Sequence, residues 1–236
     1  MNLYTRTIRS AIKAYPAVIP HLTGRARWVA FAAGGEYKTY DYYLQQLTRL
    51  ITSVYNGNLG GEFIDIMANL IQGQIYQAVN QAWLDSGMDG SLPDYLVSLA
   101  DDIVLGQYEH VDQLYRDIVD ARLDGTPLAP LLARAPLWAT RWTEAYNQAM
   151  LLIAAEMGQR MVWELGATEQ HCETCAALNG IVAFASEWEE LGVMPQSAPN
   201  DALQCGGWKC DCKLTPTEQR RSPDAYGRII NATVKL

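Results

Sequence analysis

The chain has 236 residues, 49% hydrophobic and 19% charged, which supplies a real core and excludes a disordered chain. Eighteen Lys and Arg against 26 Asp and Glu leave a net charge of −8, which excludes a protein that coats nucleic acid with its whole surface. No uncharged apolar run approaches the roughly 18 residues that span a bilayer, and the proline-interrupted stretch from Ala14 to Pro20 makes a poor signal-peptide core, so the expectation is a cytosolic chain with no membrane partner.

In chain order, the first feature is charge. Residues 1–35 hold Arg6, Arg9, Lys13, Arg25 and Arg27 and no acid, a segment of +5. Residues 213–236 carry five bases against Glu218 and Asp224, or +3, so the remaining 8 bases and 24 acids make the middle −16. Basic ends on an acidic body suit docking to a polyanion or an acidic protein surface, with Arg6, Arg9, Lys13, Arg25 and Arg27 as the candidate contacts. Solvated ends without a dedicated partner account for them equally well.

Four helices are expected next. Leu44, Leu47, Ile51 and Val54 recur at three- and four-residue spacing, as one helix face requires. Phe63, Met67, Leu70, Gln74, Ala78 and Ala82 continue that rhythm beyond the Asn56-Gly57-Asn58 and Gly60-Gly61 breaks. A third helix is expected from Ser91, with Leu96, Leu99, Ile103, Val111, Leu114 and Ile118 on one face and Asp124-Gly125-Thr126-Pro127 ending it. A fourth runs from about Ala139 to Leu165 through Trp142, Tyr146, Ala149, Ile153, Met157 and Met161. These stripes read as bundle core.

After Gly166 the texture changes. Gly180 to Phe184 follows an Asn-Gly pair and reads as a strand, and Ser186-Glu-Trp-Glu189 reads as a capping box opening a short helix closed by Gly192 and Pro195. The expected fold is mostly α: a helical body over 1–165, a small α+β cysteine module over 166–216, and a basic tail over 217–236.

All five cysteines fall in that module: Cys172-x2-Cys175, then 29 residues, then Cys205-x4-Cys210-x-Cys212, with His171 beside the first. Clustered cysteines in a cytosolic chain are more often metal ligands than disulfides, and an odd count speaks against a fully paired framework. A C-x2-C loop offers two thiolates to one ion and a second cluster can complete the tetrahedron that Zn2+ prefers. A metal would also explain how a loop-rich segment is ordered. The ligand candidates are Cys172, Cys175, Cys205, Cys210 and Cys212. Cys172, Cys175 and Cys210 come first, Cys205 stands ahead of Cys212 for the fourth place, and His171 ranks behind them. An iron centre and a disulfide reading are weaker, the first because its usual spacings are not matched. A structural zinc fits better than a catalytic one, because the H-x-E…P-C-x2-C arrangement of the zinc deaminases is missing.

The run from Trp163 through His171-Cys172-Glu-Thr-Cys175 to Asn179-Gly180 resembles the minor head (head morphogenesis) proteins of tailed bacteriophages, the family named after the F protein of phage Mu. So do Ser186-Glu-Trp, Pro195-Gln-Ser and Leu203-Gln-Cys205-Gly-Gly-Trp-Lys-Cys210-Asp-Cys212-Lys-Leu214, which follow in the family's order. The resemblance covers residues 140 to 216. Where many members have a His before the C-x-C, this chain has Cys205 at longer spacing, which leaves the fourth ligand open. The resemblance implies a structural virion protein, made in the host cytoplasm and present in few copies at the portal vertex or inside the head. Its implied partners are the portal protein, other head proteins and packaged DNA. It implies no enzymatic activity, and no fused effector domain is expected after Cys212.

Catalytic motifs fail in keeping with this. No G-x-G-x-x-G, Walker A, G-x-S-x-G or H-E-x-x-H occurs. Asp85-Ser-Gly-Met-Asp89-Gly90 resembles the start of an EF-hand, but Gly87 and Leu96 stand where ligands are needed, so it reads as a turn. The alternative from another class is a nucleic-acid-binding zinc module contacting through Trp208-Lys209 and the basic tail. Against it, the stretch from Gly166 to Cys212 holds only one basic residue, Lys209.

Overall fold

A computed structural model describes residues 40–167, 170–208 and 210–233. The basic candidates Arg6, Arg9, Lys13, Arg25 and Arg27 lie outside the described residues, as does Lys209. The chain divides into two compact units. One takes the residues up to Asn80 together with Ser91–Trp142, the other Gln81–Gly90 together with Thr143–Leu236. No helix among the described residues is long and apolar enough to cross a membrane.

The first unit is helical: α1 (Tyr40–Tyr55), most of α2 (Glu62–Asp85), α3 (Asp94–Tyr108), α4 (Val111–Leu123) and the short α5 (Ala129–Leu132) and α6 (Ala135–Ala139). The apolar spacing of α1 buries Tyr43, Leu47, Leu50, Ile51 and Val54, and that face packs on α4, α5 and α6. From α2, Phe63, Met67, Ile71 and Ile75 are buried, and Phe63 stacks on Tyr115 with ring centroids 5.6 Å apart. Two polar residues of α2 are buried as well, Gln72 and, at 2% exposure, Gln74. Its Nε2 donates to the carbonyls of Trp138 at 3.0 Å and Ala139 at 2.7 Å, the chain-end groups that α6 cannot satisfy itself.

The expected third helix is two helices. The buried stripe of α3 is Leu96, Ala100, Val104 and Tyr108, one step round from the expected Leu99 and Ile103. The chain then turns at Glu109 and His110, where the His110 N–H bonds to the Gln107 carbonyl at 3.1 Å, and α4 restarts with its own face of Val111, Leu114 and Ile118. Pro93, not Ser91, occupies the N-cap of α3, with no side-chain cap.

The expected fourth helix also ends early. α7 (Arg141–Glu156) stops in a Schellman turn: the Gly158 N–H bonds to Ala155 O at 3.0 Å and the Gln159 N–H to Ala154 O at 2.8 Å, with Gly158 at φ +63°. Such a left-handed residue suits glycine, and the helical rhythm of Met157 and Met161 across it is accidental. Met157 is 46% exposed, whereas Met161 is buried in a strand.

That strand, β1 (Arg160–Glu164), is central in a three-stranded antiparallel sheet with β2 (Val182–Phe184) and β3 (Lys213–Thr217), in the order β2-β1-β3. Met161, Val162 and Trp163 are all buried, the continuous apolar run that a strand covered on both faces needs. Register pairs Met161 with Ala183 on one side and Glu164 with Lys213 on the other. Around the sheet lie α8 (Glu173–Leu178), α9 (Ala185–Glu190) and α10 (Ala225–Thr233), the last packing on α8. Trp163 and Trp188 are fully buried in this core, with centroids 5.7 Å apart. Each would cost about 3–5 kcal/mol on truncation to Ala.

The segment expected as a basic tail is part of this unit. Ser222 exchanges two hydrogen bonds with Val182, at 2.8 and 3.0 Å, and α10 buries Ala225 and Ile229. Arg221 grips Glu187 with two nitrogens, at 2.9 and 2.5 Å. The Glu187 carboxylate also accepts the Phe184 N–H at 2.9 Å, so the expected capping box at Ser186 is replaced by its back-bonding half alone, two residues earlier, because the Phe184 side chain has no acceptor to complete it.

Candidate metal centre

The first cysteine knuckle is built by α8. Cys172 sits at its N-cap, and its sulfur accepts the Cys175 N–H at 3.4 Å, the reciprocal geometry that a C-x2-C turn permits. Cys175 lies one turn in and is 1% exposed. The second knuckle is a loop closed by short backbone bonds: Gly206 N–H to Leu203 O at 2.7 Å, Trp208 N–H to Cys205 O at 3.1 Å and Asn200 N–H to Gly206 O at 3.0 Å. Gly207 has φ +76°, and a Cβ there would lie 2.7 Å from the Ser197 carbonyl oxygen. Only glycine fits that place.

The polar stretch from Gln196 to Gln204, featureless in sequence, is what joins the two knuckles. The Gln204 side-chain oxygen accepts the Glu173 N–H at 2.9 Å, and the Gln204 N–H reaches Thr174 Oγ1 at 3.3 Å. Asn200 Nδ2 donates to the carbonyls of Gly192 and Met194 at 3.1 and 3.2 Å, while Gln196 Nε2 holds the Cys212 carbonyl at 2.9 Å. Amide side chains lying between two cysteine clusters are the only sequence signal that could have singled these residues out.

The result is that all five cysteines converge, and none is in a disulfide. Cys175 Sγ and Cys210 Sγ are 3.9 Å apart. Two sulfurs about 2.3 Å from one tetrahedral ion lie about 3.8 Å apart, so that spacing suits shared ligation. The candidate donors form three overlapping triads, each with its ligand atoms within 4.8 Å: Cys172, Cys175 and Cys205; Cys175, Cys210 and Cys212; and His171, Asp211 and Cys212. Cys210 and Cys212 are two residues apart, a spacing that puts side chains of an extended chain on the same side, so Cys212 belongs with the cluster as fully as Cys205. Asp211 is an addition that the sequence did not suggest.

The five thiols are split by their surroundings, Cys172 and Cys210 being held down and Cys175, Cys205 and Cys212 pushed up. The Cys210 sulfur beside it, and then burial, push the Cys175 thiol far up. The same contact, opposed by burial, holds Cys210 down at about 5, with the Cys212 and Gln196 N–H groups also directed at its sulfur. Burial alone would raise Cys172, but the N–H groups of Cys175 and Cys205 leave its thiol below the ordinary value. Burial pushes Cys205 up to about 11 and raises Cys212, against N–H groups from Gly207 and Gly166 respectively. N–H donors aimed at sulfur favour thiolate, the form that ligates metal.

Fold and site together define a mostly helical protein with a small three-stranded sheet and a cysteine/histidine cluster able to hold a metal ion. Comparison with models of known protein families, with curated proteins and with solved structures finds no match.

Proposed function

We propose that the cluster binds Zn2+ as a structural staple and that the chain is a minor head protein of a tailed phage, held at the portal vertex or inside the head. The observation that carries this reading is the order of Trp163, the Cys172/Cys175 knuckle, the Asn179-Gly180 turn, Trp188 and the Cys210-x-Cys212 pair, the order of the minor head proteins the sequence resembles. Convergence of those pieces in one unit supports it. Donors dominated by thiolates suit zinc over Mg2+ or Ca2+, which take oxygen ligands. The role is structural and not catalytic: the ion fixes a surface, and the helical unit and the basic first 35 residues dock to the portal protein, other head proteins or packaged DNA.

The test is co-expression of the full chain with a portal oligomer, followed by size exclusion and metal analysis without chelator. Co-elution of the two with at least one zinc per chain is expected. Failure to co-elute, together with strong DNA binding whose steep salt slope vanishes without residues 213–236, would replace this reading with the nucleic-acid module.

A further inference from the structure

We infer that the cluster holds two metal ions side by side, the second on His171, Asp211 and Cys212, next to an ion held by thiolates alone. This rests on the zinc reading above and deepens it. A tetrahedral Zn2+ takes four donors, yet seven converge here: five sulfurs, an imidazole and a carboxylate. Their arrangement is not a single tetrad. The three triads form a line in which Cys175 belongs to the first two and Cys212 to the last two. A row of triads with shared thiolates is the geometry of two neighbouring ions, since sulfur bridges metals readily. With Cys172, Cys175, Cys205 and Cys210 on the first ion and His171, Asp211 and Cys212 on the second, seven of the eight positions of two tetrahedra are filled, and a bridging thiolate or a water takes the eighth.

The third triad is also built, not merely near. Cys212 Sγ and His171 Nδ1 are 3.8 Å apart, close to the roughly 3.6 Å that bonds of about 2.3 and 2.0 Å impose in a tetrahedron. The Asp211 carboxyl lies against the backbone of Gly166, where a Cβ would fall 2.0 Å from its Cγ, and the Gly166 N–H points at the Cys212 sulfur. One glycine therefore fixes two of the three donors. Charge agrees. Five thiolates and a carboxylate around one dication leave a net −4 in a half-buried pocket, whereas a second dication leaves −2.

Native mass spectrometry of the full chain, titrated with Zn2+ and desalted, tests the inference. Two ions per chain are expected, and one in the double variant His171→Ala, Asp211→Asn. Wild type saturating at one ion, or the variant still taking two, overturns the second site and leaves the zinc reading standing. Wild type taking none overturns both. Because the variant could fail to fold, Co2+ titration of the wild type gives a second readout. The first equivalent should show the absorption of an all-thiolate site, and the second should add d–d bands at shorter wavelength from the mixed N/O/S donors. Identical spectra for both equivalents overturn the assignment.

Discussion

Replacing Gly207 by Ala separates a loop built around its metal from one that merely contains cysteines. At φ +76° an L-residue costs about 1–2 kcal/mol. The new Cβ would also meet the Ser197 carbonyl oxygen at 2.7 Å and its carbon at 2.9 Å, backbone atoms that cannot swing aside. Overpacking of that kind adds about 1–3 kcal/mol. On the zinc reading proposed above, ligation would hold this turn while the apo loop is free to relax, so the sum, about 2–5 kcal/mol, should appear as a loss of zinc affinity of about 30-fold to a few thousand-fold. Gly206→Ala is the matched control. Its φ of +60° is similar, but its nearest neighbour at 3.0 Å is the Trp208 ring, a side chain 43% exposed and free to move. It should lose about 5- to 30-fold. Competition with a chromophoric zinc chelator measures both. Equal losses in the two variants, or Gly207→Ala within threefold of wild type, would refute the claim that this turn sets the second knuckle.

Three further outcomes are expected. Stripping the metal with a strong chelator should collapse the near-ultraviolet circular dichroism of the Trp163 and Trp188 pair while the far-ultraviolet helix signal largely persists; a near-ultraviolet spectrum unchanged in metal-free protein would contradict the staple. Arg221 holds the Glu187 carboxyl below the usual carboxylate range, so the pair stabilises the fold above the unfolded Glu value and is lost as pH falls through the folded one. Glu187→Gln should therefore cost about 1 kcal/mol at pH 7 in urea denaturation, with the gap to wild type closing towards pH 3, and a gap independent of pH would count against it. In the first unit, Gln74→Ala strands two buried carbonyls and should cost about 2–4 kcal/mol by thermal melting, against less than about 1 kcal/mol if water replaces the amide.

Periodicity revealed much of the helical content, because the faces of α1 and α2 are apolar at three- and four-residue spacing and packing agrees with them. It failed where a stop signal was chemical and not periodic. Gly158 interrupts a rhythm that Met157 and Met161 continue across a strand boundary. His110 hides a break because both flanking helices are apolar in a compatible phase. The cysteines announced a cluster, since thiols at C-x2-C and C-x-C spacing have few other uses. Asp211, Gln196, Asn200 and Gln204 stayed silent because their importance comes from loop closure, which joins Gln204 to Glu173 across 31 positions and Gln196 to Cys212 across 16, and leaves no periodic pattern.

The sheet order carries a consequence for synthesis. β1, the centre strand, is translated first, β2 follows, and β3 comes last, after every cysteine has been made. Every cysteine therefore precedes in the chain the strand that locks the second knuckle. Non-local pairing of this kind is intrinsically slow. An ion captured by the unfolded knuckles would shorten the remaining loop search, so metal supply during folding, and not only at equilibrium, would govern the yield of folded protein.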